Sequence, residues 1–453
     1  MKLTKDQDNA KIAIWSSIDQ IRGKYATEKY LNLVLFMLIW AKFLPQTNTS
    51  AIGFFDVLEP VDEIKKLDVI ISKLSKVTKF DIGNLIGIAG NRESFIEIIE
   101  TLKTALIPAA RLIAKGNKSD TEKVIDIIQE CSNAFSGRGG FYGFNKGILD
   151  FSNKVFDGLM DNNHAINCLY SAGVSSAYSF AKTRNIFIQE RIIDLDSYTK
   201  GLISLYGEPL RVDDSYTDKN ITFAAPPFGI KSKAGVEEYG PYKEDEDSKA
   251  IDDMHCKLIY LAHKNTKNTT IAITNLATLF SKTKGINYFR QKIIDKNWVD
   301  TIITFPSGLA YGTQIPVAMV ILKKDRAEND EIQLIDFSNC KKDDEAKRGQ
   351  TIIPIEEINN LYKIFKSKKK SETSLLIAKE EIIKNDYALN FIKYFVSNED
   401  KKILSTLNKR KLVPLEALVT FIRPTAIQKD AKGIELNEVM ISDINYIGDV
   451  KET

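Results

Sequence analysis

The chain is predicted to be an α/β protein with a helical N-terminal region, and three observations predict it. Residues 1–115 carry apolar positions at helical spacing with no alternating run between them. From about residue 116, short β-branched runs alternate with helical stretches, the pattern of a mostly parallel sheet covered on both faces. Past residue 397 the texture changes again, and the piece that remains is too small for a finished domain. The divisions read from these shifts are 1–115, 116–397 and 398–453, in keeping with about three domains for this length.

The elements follow in order. Ile14, Trp15, Ile18 and Ile21 share one helix face, and Gly23 ends that helix. Thr27 caps the next, which holds YLNLVLFMLIWAKFL (Tyr30–Leu44). That run falls short of the roughly 20 apolar residues of a membrane span and carries Lys42, so it reads as a buried core helix. Further helical patterns cover Val61–Val77 and Glu93–Ile113. Strands are expected at Ile221–Phe223, Thr270–Thr274, Val299–Thr304, Val317–Leu322 and Ile332–Phe337, with helices at Asp252–Lys264 and Tyr288–Lys296 between them. The charged DRAEND between the last two strands predicts an antiparallel hairpin at one end of the sheet. Lys366–Lys370 (KSKKK) reads as a linker or solvated turn. No internal repeat is present.

Charge is nearly balanced, 63 Lys+Arg against 60 Asp+Glu, so any nucleic-acid surface must be a local patch. Four scattered cysteines without a CxxC pair, and three histidines, exclude a zinc knuckle or a disulfide framework, and no metal site is expected. The polar start MKLTKDQDNAK lacks the apolar core of a signal peptide, so a soluble, cytoplasmic protein with no membrane partner is expected.

Two segments could carry chemistry. In SNAFSGRGGFYGFNKG (132–147), Gly137, Gly139 and Gly140 would let the backbone approach a ligand or turn with positive φ. Such a loop commonly leaves the first strand of a nucleotide-binding sheet, although a plain loop explains these glycines equally well. The rarer pattern is ITFAAPPFGI (221–230), a strand that stops at two prolines and a phenylalanine. The exocyclic amine of adenine is a poor nucleophile. A rigid backbone carbonyl and a side-chain amide that both accept from it would localise its lone pair. Pro226 and Pro227 fix the carbonyl, and Phe228 offers a face for a flipped-out base, but Ala225 accepts nothing. The plainer reading is a proline turn capping a buried strand.

The chain resembles the modification (methyltransferase) subunit of type I restriction–modification systems. IWSSIDQIRGKYATEKYLNLVLFMLIWAKFL (Ile14–Leu44) is similar to the family's N-terminal helical signature. NYFRQKIIDKNWVDTIITFPSGLAYGTQIPVAMVILKKD (Asn287–Asp325) is similar to the second half of its methylase sheet, with LIDFS and NDYALNFIKY as closing segments. The resemblance implies a helical domain, a Rossmann-like class I methyltransferase sheet, S-adenosylmethionine as cofactor, and double-stranded DNA and a specificity subunit as partners. It lays the family's cofactor loop, Asp-Pro-x-x-Gly-Ser-Gly-Gly-Phe, on Asn133 to Phe141, with Ser136, Gly137, Gly139, Gly140 and Phe141 as cofactor contacts and Asn133 where the acid stands. The family's Asn-Pro-Pro-Phe corner falls on Ala225, Pro226, Pro227 and Phe228, and the aspartate opening its strand on Asn220. Loss of one catalytic acceptor costs about a hundred- to thousandfold in rate. The C-terminal VPLEALVTFIRPTAIQKDAKGIELNEVMISDINYIGDV resembles the opening of a target-recognition domain.

Two functions fit. One is an adenine-N6 DNA methyltransferase of a type I-like complex. The other is a methylase-like subunit without catalysis, serving DNA binding or assembly in a restriction or phage-defence system. An unrelated nucleotide-binding scaffold is the third and weakest reading.

Overall fold

The computed structural model describes residues 3–21, 30–46, 53–56, 63–86, 92–135, 143–159, 166–169, 179–180, 186–189, 193–206, 221–226, 228, 243–310, 313–343, 351–396, 398–407 and 413. Met1–Phe395 form one compact unit and Val396–Thr453 a second. The second is described only at Val396, by a helix at Asn398–Leu407 and at residue 413, so most of the recognition-like segment lies outside the described residues.

Seven helices open the first unit: α1 (Lys5–Ile21), α2 (Tyr30–Phe43), α3 (Glu63–Thr78), α4 (Ile82–Ile86), α5 (Arg92–Ala105), α6 (Ile107–Lys115) and α7 (Lys118–Phe135). Thr4 and Gln7 start α1 as a reciprocal pair: Gln7 N donates to Thr4 Oγ1 (3.3 Å) and Thr4 N to Gln7 Oε1 (3.1 Å). Helix α2 is buried from Tyr30 to Ala41 and forms the axis around which the other helices pack. Trp40 at its end meets Phe54 edge-on at 5.6 Å. The helical core does not stop at the texture change near residue 116. Val124, Ile125, Ile128 and Cys131 of α7 belong to it.

After α8 (Lys146–Leu159) come β1 (Ile166–Leu169), β2 (Ile186–Gln189), α9 (Ile193–Tyr206) and β3 (Ile221–Ala224). Helix α9 serves two cores. Tyr198, Leu202, Leu205 and Tyr206 complete the helical core, while Ile203 faces the sheet. Gly201 allows the close crossing, since a Cβ there would stand 2.7 Å from Leu35 Cδ2 of α2. Lys42 donates to the Leu205 carbonyl near the last turn of α9, where a cation also suits the helix dipole.

The rest of the unit is α10 (Glu246–Ala250), α11 (Met254–Lys264), β4 (Thr269–Asn275), α12 (Lys284–Asp295), β5 (Val299–Thr304), β6 (Val317–Lys323), β7 (Ile332–Asp336), α13 (Ile355–Ser367), β8 (Ser374–Ile377) and α14 (Lys379–Lys384). The strands join in one sheet, order β2-β1-β3-β4-β6-β5-β7-β8. Every pair is parallel except those made by β6 and β8. The five strands expected from the sequence are present, but the hairpin is not. β6 pairs with β4 and β5, and β5 separates it from β7. The reason is burial: Val317 to Leu322 are at most 1% exposed, so both edges of this strand need partners. The charged connection carries Arg326 to Asn297 Oδ1 (2.8 Å), just ahead of β5.

Of the two readings of the lysine run, the structure gives the turn and not the linker: Lys366, Lys369 and Lys370 are exposed around the end of α13. Lys368 ends α13 with φ 47° and places Nζ 2.8 Å from Asp300 Oδ2 and 2.7 Å from Thr301 Oγ1 at the start of β5. Lys368 and Lys323 hold the buried Asp300 carboxyl below its ordinary pKa against the opposing pull of burial. Among the described residues no helix is long and apolar enough to cross a membrane.

Candidate functional site

Six strands of the sheet run the same way, so their carboxyl ends share one edge. The chain goes from β1 outward to β2, then returns to β3 on the other side of β1 and continues toward β4. The crevice above β1 and β3 is therefore the topological switch point, where open α/β sheets bind ligands. The proline corner stands there. Leu169 ends β1 opposite Ala224, and Ala225 N extends the ladder to Leu169 O at 3.2 Å.

Pro226 is buried, and beside it Ala225 is fully buried. Its side chain is a methyl group, which accepts no hydrogen bond. Pro227 lies outside the described residues, as does Asn220. Phe228 is half-buried, its ring 5.5 Å from that of His255 at 55°.

His255 belongs to a polar chain that sequence reading passed over. Asp253 caps α11 by accepting from Cys256 N (2.9 Å), which sets His255 in the first turn, buried. Its Nε2 meets Thr274 Oγ1 at 2.9 Å, Thr274 donates to Thr278 Oγ1 at 2.7 Å, and Thr278 N donates to Asn275 Oδ1 at 3.1 Å. These residues end β4 and begin the following 3-10 turn, so Phe228 rests on a bonded network. The usable signal was positional: polar residues at the carboxyl ends of parallel strands. Neighbouring Cys256 is no nucleophile, because burial pushes its thiol well above the usual range. Among the described residues no group of three or more His, Cys, Asp or Glu could hold a metal ion.

The glycine-rich segment needs correction. Asn133 lies in the last turn of α7, so a helix and not a strand leads into Ser136, Gly137, Gly139, Gly140 and Phe141, which lie outside the described residues. The first strand of the sheet is β1, and the stretch that leaves its carboxyl end is Tyr170-Ser171-Ala172-Gly173-Val174-Ser175-Ser176, also outside them. The glycine count drew the reading to a segment that follows a helix, whereas β1 is only four residues long and carries Asn167 and Cys168. The far end of the 132–147 segment does reach the carboxyl edge. Phe144 forms a bridge with Ala310 and Asn145 N donates to Leu309 O (2.9 Å), just beyond β5.

Residues 177–402 match the model of the N-6 DNA methylase family. The chain is 31% identical over 116 residues to the methylase subunit of the type I restriction enzyme MpnII of Mycoplasma pneumoniae. That match spans 25% of this chain and 21% of the relative. Its fold matches the methyltransferase subunit of a type I restriction–modification system from Streptococcus thermophilus with a TM-score of 0.63, at 16% identity, over 86% of this chain and all of the other. A chain from a structural study of complex assembly and conformational transition in a type I system gives 0.55 at 14% identity, over 89% and 97% of the two chains. The sheet, with one antiparallel strand between β4 and β5, is that of a class I methyltransferase. The chain belongs to the N-6 DNA methylase family and carries the fold of a type I restriction–modification methyltransferase subunit.

Proposed function

We propose that this chain is the methylase-family subunit of a type I-like restriction–modification or defence assembly. It engages double-stranded DNA together with a specificity subunit, while its own corner does not transfer methyl groups efficiently. The observation that carries this is Ala225: fully buried at the switch point, bonded through its backbone to β1, and offering a methyl where the chemistry needs an acceptor. Asn275 does not replace it, because its Oδ1 already accepts from Thr278 N and Oγ1.

S-adenosylmethionine, the family's cofactor, would lie in the same crevice. By sequence position, the residues that would hold it are those following β1, around Gly173, and Glu190, which comes next after β2 in the chain, 17 residues beyond that glycine. An acid at this position characteristically binds ribose hydroxyls. Bound there, the cofactor would supply an electrophilic methyl group. This chain's contribution would be Pro226 and Phe228 holding a base, and no step is assigned to Ala225. The N-terminal helices and the segment past residue 398 fit a role in assembly, as does the likeness to a type I chain studied for complex formation.

The test pairs the purified chain with a candidate specificity subunit. A stable complex that binds duplex DNA and transfers radiolabelled methyl at least about a hundredfold below an Asn-containing family member supports the reading. Transfer at that member's rate refutes the catalytic part, and failure to form any complex refutes the assembly part.

A further inference from the structure

A cavity of about 510 Å³ opens between the 3-10 turn after β4, helix α12 and the segment 385–393. The buried residue in its lining is Arg290, 2% exposed. Nε donates to Tyr387 O (2.9 Å), Nη1 to Thr278 O (3.0 Å), and Nη2 to Ser281 O (2.8 Å) and Asn287 Oδ1 (3.0 Å). A guanidinium has five N–H groups, so one on Nη1 has no acceptor among the described residues. All four acceptors are uncharged. Among the described residues a full positive charge is thus buried without a carboxylate bonded to it, an arrangement that ordinarily calls for an anion. Lys282 and Lys393 stand exposed in the same lining, with Asp386 as its one acid, and Phe280 presents a half-exposed ring.

We propose that this cavity seats a backbone phosphate of the bound DNA strand, with Lys282 and Lys393 pairing with it above the Arg290 charge and Phe280 covering the adjoining sugar. The proposal rests on the DNA reading above, and adds where one phosphate is gripped. The position suits it: Thr278 joins the cavity to the end of β4, and through Thr274 and His255 to Phe228. A free phosphate ion shares the same chemistry.

The test is duplex-DNA affinity of the full chain, by fluorescence anisotropy across a salt series. The double variant Lys282→Ala/Lys393→Ala removes exposed side chains only and leaves Arg290, whose four bonds hold the fold, in place. It should weaken binding at every salt concentration and lower the slope of log K against log salt by about 0.9, the value for one phosphate contact. Lys369→Ala/Lys370→Ala, beside Glu331 ahead of β7, serves as control and should leave the slope unchanged. A double variant indistinguishable from wild type overturns the seat and leaves the DNA reading standing. If wild type binds no DNA, the DNA reading fails and inorganic phosphate decides the cavity. Slower acylation of Lys282 and Lys393, relative to Lys369, then establishes a seat for free phosphate. Unchanged acylation overturns the proposal.

Discussion

Acidification from pH 7.5 to 5 tests the amino-end side of the sheet through a single buried ring. His263 is fully buried in the last turn of α11. Its Nδ1 meets Thr270 Oγ1 at 3.0 Å, its Nε2 has no partner among the described residues, and Trp298 packs edge-on at 4.7 Å. Burial first, and the nearby Lys324 ammonium second, push its pKa down to about 3. In the unfolded chain the ring titrates near 6.5. As pH falls below 6.5 the unfolded state therefore takes up a proton that the folded state refuses, and stability drops by about 1.4 kcal/mol per pH unit. At pH 5 the loss is about 2 kcal/mol. Asp245, Asp247 and Asp300 also have depressed values. Their stabilisation is complete above the ordinary carboxylate pKa of about 3.9 and is lost only below it, so these carboxylates stay out of the interval from 6.5 to 5, and comparison with His263→Leu separates His263 from the other two histidines. Urea midpoints at pH 7.5 and 5 should separate for wild type and converge for His263→Leu, in which Thr270 keeps its contact with Thr266. Equal pH sensitivity in both proteins, or titration near 6 of the imidazole NMR signal that disappears in His263→Leu, refutes the reasoning.

Three further outcomes are expected. Gly285→Ala in α12 should destabilise by about 1–3 kcal/mol, since its Cβ would fall 1.6 Å from Asp252 Oδ1 and 2.8 Å from Asp252 N. Helix propensity alone predicts a gain of about 1 kcal/mol, so a higher urea midpoint would contradict the packing account. Ala225→Asn should not by itself restore methyl transfer, because the stretch after β1 holds a single glycine, and radiolabel transfer at an intact family member's rate would show otherwise. A chain beginning at residue 116 should be insoluble on expression, with Tyr198, Leu202 and Leu205 stripped of partners that each contribute about 1.5–3 kcal/mol. A monodisperse, cooperatively unfolding product would count against the shared core.

The strands were legible because β-branched runs such as Val317–Leu322 are buried on both faces and have no competing periodicity. Their order was not. Sequence proximity placed β6 beside β7, whereas burial of both edges placed it between β4 and β5. The corner at Pro226 was readable because two consecutive prolines admit few conformations. The first strand of the sheet escaped notice because INCL is short and ends in residues with no local signal, while the glycines at 137–140 imitate a ligand loop. Arg290 was also invisible as a site residue. An arginine on an amphipathic helix usually faces water, and only the carbonyls of Thr278, Ser281 and Tyr387 reveal that it turns inward.

Helix α9 carries a temporal consequence. The wall it gives the N-terminal core comes from residues 193–206, far downstream of α7, which ends at Phe135. During synthesis at about 5–20 residues per second, the apolar helix Tyr30–Phe43 emerges from the ribosome and waits about 8–30 s for that wall. Until then the nascent helices lack Tyr198, Leu202, Leu205 and Tyr206, so completion of their core is tied to the β2–β3 crossover. A chaperone that shields Leu35 and Ile39, the side chains Gly201 later meets, would find its substrate in that interval.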